Sequence, residues 1–273
     1  RRPPRSTRKE SSAASDVYKR QLQHGGYCST NHYSRIPPIS PSPISVGSYA
    51  PIQARAMDKS DIRNFRKWHR QAALRSKQAG FDLVYVYAAH GGTLLSDFLS
   101  RRINRRTDEY GGSLENRVRL FRELIEDTKD AVGDSCAVAV RFGVEEFLGS
   151  EGITSENEGK EIIEMLAELP DLWDVNISDW SMDSATSRFE SEGYQEPYID
   201  FVKSLTTKPV VGVGRYTSPD TMVSLIKRGV MDMVGAARPS IADPFLPKKI
   251  DEGRVDEIRE CIGCNICVTG DWR

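Results

Sequence analysis

Short apolar runs rich in β-branched residues alternate with longer charged runs along most of the chain, and this alternation constrains the fold more than any other feature. The short runs predict strands, and the longer ones, with their 3.6-residue apolar period, predict helices. The predicted strands are Gln21–His24, Leu83–Tyr87, Ala137–Phe142, Trp173–Ile177, Val210–Val213 and Met231–Ala236, and the predicted helices are Lys59–Ala79, Leu114–Val132, Ser155–Leu169, Glu196–Leu205, Pro219–Lys227 and Pro244–Glu252. Strands that alternate with helices form a parallel sheet with the helices outside it.

The number of units indicates a barrel that is not complete. Six strand–helix units are visible, whereas a closed (βα)8 barrel has eight and takes about 250 residues. We therefore expect an α/β fold, an incomplete (βα)8 TIM barrel lacking about the first two βα units. Residues 1–21 are expected to be a non-native or disordered tail, residues 22–258 the partial barrel, and residues 259–273 the start of a further, truncated segment. The Pro-rich stretch Tyr27–Met57 is expected to be a loop over one barrel mouth.

Charge and hydropathy exclude several classes of partner. The chain has 38 Lys and Arg against 39 Asp and Glu, a formal net charge of −1. Basic residues are concentrated in residues 1–21, a stretch without an apolar period, so the main body is acidic and we expect no nucleic-acid binding. No apolar run approaches the roughly 20 residues of a membrane span, and no secretory signal is visible. We expect a cytoplasmic protein.

Reactive side chains follow the predicted strands. The active site of a (βα) barrel lies at the carboxyl ends of its strands. Along the chain, Tyr87 and His90 come at the end of one strand, and Arg141 comes at the end of the next. The following strand is followed by Asp179, Trp180 and Asp183. The last two strands end in two further groups, which are Gly212, Gly214 and Arg215, and then Ala237 and Arg238. This clustering predicts an active site at the carboxyl edge of the sheet.

Single residues of this cluster have more than one interpretation. The glycines and arginines after the last two strands suit a phosphate site, because glycine admits close backbone approach and arginine offers forked donors. Alternatively, the glycines relieve crowding and the arginines pair with surface carboxylates. Arg141 could stabilise negative charge on a cofactor or pair with Glu145 or Glu146. His90 is a candidate catalytic residue or a structural loop histidine, and Trp180 could pack the core or bind an ammonium through cation–π attraction.

The five cysteines are unevenly placed, which argues against a disulfide framework. Cys261, Cys264 and Cys267 have the C-x2-C-x2-C spacing that suits a [4Fe–4S] cluster, which needs a fourth ligand. Zinc is the alternative, although zinc sites more often combine two separated C-x2-C pairs.

Several runs together resemble the old yellow enzyme superfamily. They are GFDLVYVYAAH, NRRTDEYGGSLENRVRLF, RFGVEEF, KPVVGVGRYTSPDTM, GAARPSIADPF and CIGCNICVTGD. The last two resemble its trimethylamine dehydrogenase branch, and CNICVTGD is most similar to dimethylglycine and N-methylproline demethylases. The resemblance implies FMN bound in the partial barrel of residues 22–258 and a [4Fe–4S] cluster beginning in residues 259–273.

The resemblance also implies roles for individual residues. Tyr87, His90 and Asp183 match a catalytic triad, and Trp180 matches a substrate-cage tryptophan. Gln21, Arg141, Gly214, Arg215, Ala237 and Arg238 match contacts to FMN. Gly212 joins this predicted cofactor site through its place at a strand end, and Cys261, Cys264 and Cys267 match three cluster ligands.

The implied activity is oxidative N-demethylation of a small methylated amine or amino acid. An electron-transfer flavoprotein is the implied acceptor, and the full-length enzyme is expected to be a homo-oligomer. The alternatives are an NAD(P)H-dependent enoyl- or dienoyl-thioester reductase of the same superfamily and a flavin-free barrel lyase or isomerase. A partial barrel exposes strand edges and apolar surface, so this chain by itself could fold poorly and be inactive.

Overall fold

A computed structural model describes residues 19–29, 36–46 and 52–269 of the chain. The strands are β1 (Lys19–Leu22), β2 (Ile39–Ser40), β3 (Ile44–Val46), β4 (Ile52–Ala56), β5 (Leu83–Ala88), β6 (Ala137–Glu145), β7 (Leu172–Ile177), β8 (Val210–Gly212) and β9 (Met233–Val234). The helices are α1 (Lys59–Gln78), α2 (Leu94–Leu99), α3 (Leu114–Val132), α4 (Glu158–Leu166), α5 (Trp180–Asp183), α6 (Glu196–Ile199), α7 (Val202–Leu205), α8 (Pro219–Lys227), α9 (Ala237–Ala242), α10 (Leu246–Asp251) and α11 (Ile266–Thr269).

Six of the strands form one sheet in the order β1-β5-β6-β7-β8-β9, and each neighbouring pair is parallel. This arrangement is the mixed α/β fold with a parallel sheet that the strand–helix alternation predicts. The first strand begins at Lys19, inside the segment assigned to the tail, because its backbone pairs with β5 from Lys19↔Leu83 to Leu22↔Val86. The remainder of the predicted tail, residues 1–18, lies outside the described part of the chain.

The two faces of the sheet differ in chemistry. Alternate strand residues point to opposite faces, and the face that meets the helices is apolar. Its buried side chains pack with those of α1, α3 and α4, and they include Val84, Val86, Val138, Val140, Phe142, Trp173 and Val175. In the described part of the chain, the opposite face carries a small apolar cluster at its amino-terminal end, formed by Leu83, Tyr85, Ala139 and Leu172. Its carboxyl-terminal end is polar, and that end holds the candidate site.

The described residues of the segment Tyr27–Met57 contain more regular structure than the Pro-rich composition predicts. The described residues include a three-stranded sheet in the order β2-β4-β3, with β2 parallel and β3 antiparallel to β4. The prediction of a loop was wrong because Pro41 and Pro43 lie between strands, where no ladder donor is needed. The backbone N–H of Arg105 donates to Ser42 Oγ at 2.9 Å, so this sheet lies against the segment that follows β5.

Helix boundaries also depart from prediction. The six-residue helix α2 was not predicted, because all its residues are buried and it has no polar face to reveal a helical period. The predicted helix Glu196–Leu205 is two short helices, α6 and α7. Among the described residues, no helix combines the length and the apolar character needed to cross a membrane.

A buried ion pair ties α3 to α4. The Arg117 side chain is 1% exposed, and its Nη2 donates to Glu158 Oε1 at 2.5 Å while Nη1 donates to Glu158 Oε2 at 3.0 Å. Nη1 also donates to the carbonyl of Leu99 at the end of α2. One guanidinium therefore joins three helices outside the sheet.

Candidate active site

Tyr87, His90 and Asp183 form a continuous hydrogen-bonded relay. Tyr87 lies near the end of β5, and its hydroxyl makes a short hydrogen bond with His90 Nδ1. His90 Nε2 lies 2.8 Å from Asp183 Oδ2, contributed by α5 after β7. The His90 side chain is 3% exposed and that of Asp183 is 11% exposed. The tertiary structure thus joins residues that are 93 positions apart in the chain.

The turn after β5 gives His90 its orientation. His90 has a φ of 62°, in the left-handed region that is uncommon for a residue with a side chain. Gly91 and Gly92 follow with φ values of 51° and 59°, so three consecutive residues are left-handed. This turn directs the imidazole back toward the end of its own strand, where Tyr87 lies. A left-handed backbone is unfavourable for a residue with a side chain, and such strained residues are found mainly at functional sites. The conformation of His90 therefore favours a functional role over that of a structural loop histidine.

Asn176 is a second partner of His90 that the sequence interpretation missed. Its Nδ2 lies 2.7 Å from His90 Nε2, and the residue is fully buried in β7. Asp174 and Asn176 interrupt the apolar strand LWDVNI at alternate positions. Because alternate strand residues share a face, this polar pair was a signal that the interior of the sheet is polar at its carboxyl end.

Gln195 holds the far end of the relay. The residue is fully buried, and its Nε2 donates to Asp183 Oδ1 at 2.7 Å. The neighbouring Tyr194 hydroxyl donates to the carbonyls of Met182 and Asp183, which anchors α5. Gln195 lies in a polar segment between elements, so no periodicity could have identified it. Both oxygens of Asp183 consequently have a donor within the protein.

These contacts set the charge of the relay. Burial alone would raise the pKa of Asp183, but the hydrogen bonds from His90 and Gln195 and the nearby Arg141 lower it below its ordinary value. Burial raises the pKa of Tyr87 to about 12, with Arg141 opposing the rise. At neutral pH Asp183 is therefore a carboxylate and Tyr87 a neutral hydroxyl.

Arg141 lies beside the relay on the polar face of the sheet. Its Cα is in register with Tyr87 on one side and Asp174 on the other, and its Nη1 lies 3.4 Å from Asp174 Oδ2. The sequence-based alternative of a pair with Glu145 or Glu146 was wrong, because Arg141 points inward to β7. Its Nε is buried and lacks a hydrogen-bond partner among the described residues. This orphan donor suits an electron-rich cofactor ring.

The glycines after β8 have packing reasons of their own. A Cβ on Gly212 would lie 2.5 Å from Met231 Cε and 2.9 Å from Ile199 Cδ1, and one on Gly214 would lie 3.0 Å from the Tyr216 ring. Side chains thus lie close to where both Cβ atoms would be, which is the arrangement that the crowding interpretation expects. A phosphate contact by either backbone stays a prediction.

The arginines do not follow the surface-pairing interpretation. Within the described ranges, no ion pair joins Arg215 or Arg238 to a carboxylate. Arg215 has a φ of 60°, and its Nε is buried without a partner there. Arg238 follows Ala237 at the start of α9, after the neighbouring strand β9, and the two strand ends are joined by the bond from Gly235 N to Gly212 O at 2.8 Å. Two guanidinium groups at adjacent strand ends fit a phosphate.

Two predicted contacts have little structural support. Gln21 lies in the edge strand β1, in register with Tyr85, and is exposed. Trp180 begins α5 three residues before Asp183, but its side chain lies outside the described part of the structure. Their roles at the flavin and at the substrate stay predictions.

The cysteine segment, defined as residues 259–269, holds Cys261, Cys264 and Cys267. Gly263 and Asn265 have φ values of 63° and 60°, so the chain turns sharply between the cysteines, and Gly263 N donates to Cys261 Sγ at 3.4 Å. In residues 19–29, 36–46 and 52–269, no three His, Cys, Asp or Glu side chains are gathered to hold one metal ion. The donor chemistry and the N–H···S bond fit an iron–sulfur cluster, which stays a prediction.

The chain is similar in sequence and in structure to several known proteins. The chain is 59% identical to 6-hydroxypseudooxynicotine amine oxidase from Pseudomonas geniculata N1, with a TM-score of 0.89 over 92% of this chain and 38% of that one. It is 52% identical to histamine dehydrogenase from Rhizobium sp. 4-9, with a TM-score of 0.90 over 94% of this chain and 37% of that one. A dimethylamine dehydrogenase of Hyphomicrobium sp. (strain x) is 46% identical over 215 residues, which are 78% of this chain and 29% of that protein.

The chain therefore spans well under half the length of these relatives, all of which carry amine oxidoreductase names. A family model matches residues 17–257, from the first strand to the start of the cysteine segment. The chain belongs to the NADH:flavin oxidoreductase / NADH oxidase family, and within it to the trimethylamine dehydrogenase-like branch of the old yellow enzyme superfamily.

Proposed function

We propose that the protein is an FMN-dependent oxidoreductase that oxidises a small methylated amine or amino acid and so removes its N-methyl group. The observation that carries the proposal is the buried relay Tyr87–His90–Asp183 at the carboxyl end of the sheet. A chain of this kind can accept a proton from a bound ammonium group and hold it away from the reacting atoms. The amine oxidoreductase names of the similar proteins support the same reaction class.

The relay prepares the substrate by removing a proton. An ammonium nitrogen has no lone pair, whereas a neutral amine can release a hydride equivalent from its adjacent carbon. In the tautomer that carries its proton on Nε2, His90 donates to Asp183 Oδ2, and Nδ1 accepts from the Tyr87 hydroxyl. Tyr87 then passes its proton to Nδ1 as it takes one from the ammonium. The imidazolium that results is held by Asp183.

The cofactor site follows from the arginines. Arg141 would lie at the flavin ring, and Arg215 and Arg238 would hold the phosphate. Bound FMN supplies the acceptor for the hydride equivalent. The substrate becomes an iminium ion, and water converts it to formaldehyde and the demethylated amine. Overall, one amine and one water yield one demethylated amine, one formaldehyde, two protons and two electrons.

The electron exit and the partners are part of the same proposal. Cys261, Cys264 and Cys267 would hold a [4Fe–4S] cluster. Such a cluster carries one electron at a time, so it would pass the two electrons of amine oxidation singly to the acceptor. The acceptor is an electron-transfer flavoprotein, and the holoenzyme is a homo-oligomer. Trp180 contributes to the substrate cage by cation–π attraction.

Rapid-mixing reduction of the flavin tests this function. We expect dimethylglycine, dimethylamine or a related N-methyl amine to bleach the flavin absorbance anaerobically, with one formaldehyde formed per flavin. The enoyl-thioester reductase alternative predicts the opposite pattern, in which NADPH reduces the flavin and amines do not. A His90→Ala enzyme that kept the wild-type rate and pH profile with amines would contradict the relay.

A further inference from the structure

The cysteine segment is attached to the loop that directly follows the relay. Ser187 Oγ donates to the carbonyl of Ile262 at 2.5 Å, and a Cβ on Gly263 would lie 2.7 Å from Ser187 N. On the other side, Thr217 Oγ1 donates to Glu260 Oε1 at 3.0 Å, two residues after Arg215. The segment thus lies between the loop after Asp183 and the turn after β8.

Asn265, between Cys264 and Cys267, is the central contact of this attachment. Its left-handed backbone is one that asparagine adopts more readily than most residues. Its Nδ2 donates to the carbonyl of Ser184, and its Oδ1 accepts from Arg238 Nη1 at 2.6 Å. The carboxamide therefore uses a donor and an acceptor at once, in a half-buried position.

Arg238 uses one guanidinium nitrogen for all of these contacts. Besides Asn265, Nη1 donates to the carbonyls of Ala185 at 2.9 Å and Ser184 at 3.3 Å. None of the three bonds uses Nε or Nη2. A guanidinium is a rigid planar fork, so fixing one nitrogen fixes the direction of the others. Arg238 starts α9 beside the turn that holds Arg215, where the phosphate is proposed to bind.

We propose that Arg238 couples the two cofactor sites: Nη1 holds the cysteine segment through Asn265, and the remaining face of the same guanidinium binds the FMN phosphate. This inference rests on the proposed FMN and cluster sites. A cysteine segment ordered by its cluster holds Arg238 ready for the phosphate, and bound phosphate holds Arg238 ready for Asn265. Because such coupling is reciprocal, each cofactor strengthens the binding of the other by the same factor.

The coupling is measurable as a ratio of affinities. The dissociation constant of FMN is measured by quenching of flavin fluorescence, on the apoflavin protein with its cluster intact and after the cluster has been removed by oxidation and chelation. A coupling of about ten-fold tighter FMN binding with the cluster is expected. The reciprocal effect, that of FMN on the cluster, is measured as the rate at which a chelator extracts iron with and without bound FMN.

Two substitutions at Asn265 separate coupling from folding. Asn265→Gly keeps the left-handed backbone but loses both side-chain bonds, so FMN affinity should become independent of the cluster. Asn265→Asp keeps the acceptor for Arg238 but loses the donor to the Ser184 carbonyl, and it should retain the coupling because the bond to Arg238 carries it. Equal coupling in the wild type and Asn265→Gly, or independent affinities in the wild type, would overturn the inference and leave the proposed function standing. A wild type that binds FMN but assembles no cluster would overturn both this coupling and the proposed electron exit.

Discussion

Replacing Gln195 by leucine tests how the relay keeps its charge. The substitution preserves roughly the volume of a fully buried side chain but removes the Nε2 donor that lies 2.7 Å from Asp183 Oδ1. Hydrogen bonds to charged groups contribute about 1.5–3 kcal/mol. Asp183 is nearly buried, so water cannot replace the donor fully. Since about 1.4 kcal/mol is a factor of ten in an equilibrium, protonation of Asp183 should become roughly ten-fold to a hundred-fold more favourable.

The sign of the effect follows from the pKa of Asp183, which the folded state lowers. Such a carboxylate stabilises the fold above its ordinary pKa, and that contribution is lost as the pH falls through its lowered folded-state value. In Gln195→Leu both the loss of stability and the acid limb of amine-dependent flavin reduction should move upward, by about one to two pH units. Rapid-mixing reduction and thermal unfolding, each measured from about pH 2.5 to pH 9 so that the window includes the lowered pKa of Asp183 in the wild type, give the two profiles.

A matched substitution separates the hydrogen bond from the volume. Gln195→Glu is isosteric but places a second carboxyl group beside Asp183, so it should shift the acid limb in the same direction and further. If Gln195→Leu lowered the rate equally at every pH, with no movement of the acid limb, Gln195 would be a packing residue and the electrostatic reasoning would be refuted.

Three further substitutions, one of them paired with a control substitution, test other parts of the structure. Tyr87→Phe should slow amine-dependent flavin reduction by about 10²-fold or more in rapid mixing, because the relay loses its outermost proton carrier; an unchanged rate would exclude Tyr87 from the proton path. Arg117→Met leaves the buried Glu158 carboxylate without its main partner and should cost about 3–5 kcal/mol in urea unfolding. Arg101 also contacts Glu158 but is exposed, so Arg101→Met is the control with a small effect. Gly212→Ala should lower stability by about 1 kcal/mol through overpacking against Met231, with FMN affinity unchanged; a large loss of FMN affinity would instead indicate that the phosphate contacts Gly212 closely.

The site was partly predictable from residue positions alone. Tyr87 lies near the end of β5, His90 follows that strand, and Arg141 lies in the neighbouring strand β6. Parallel strands bring their carboxyl ends to one edge, so the proximity of these residues follows from the strand–helix alternation. The polar alternation of Asp174 and Asn176 within β7 carried a usable signal that the first interpretation did not use. The sequence around Gln195 carried no such signal, because the role of this residue depends on where the chain between α5 and α6 returns to the sheet.

The structure changed the interpretation of residues whose types suit more than one role. Arginine binds carboxylates, carbonyls and phosphates with the same donors, so the sequence could not say that Arg141 faces Asp174 or that Arg238 contacts Asn265. Glycine likewise serves close packing and ligand approach, and only the structure shows that the Met231 and Ile199 side chains lie close to where a Cβ on Gly212 would be.

What the sequence determined by itself is the order of strands and helices, and with it the parallel sheet and the edge where chemistry is possible. These follow from local patterns, since the hydrophobic period and the turn residues act over a few neighbouring positions. The family resemblance already implied that His90 meets Asp183, although no local pattern specified it. Only the tertiary structure decided the other pairs that meet across that edge: His90 with Asn176, Asp183 with Gln195, and Arg238 with Asn265. Such pairs depend on distances between residues far apart in the chain, which no local pattern specifies.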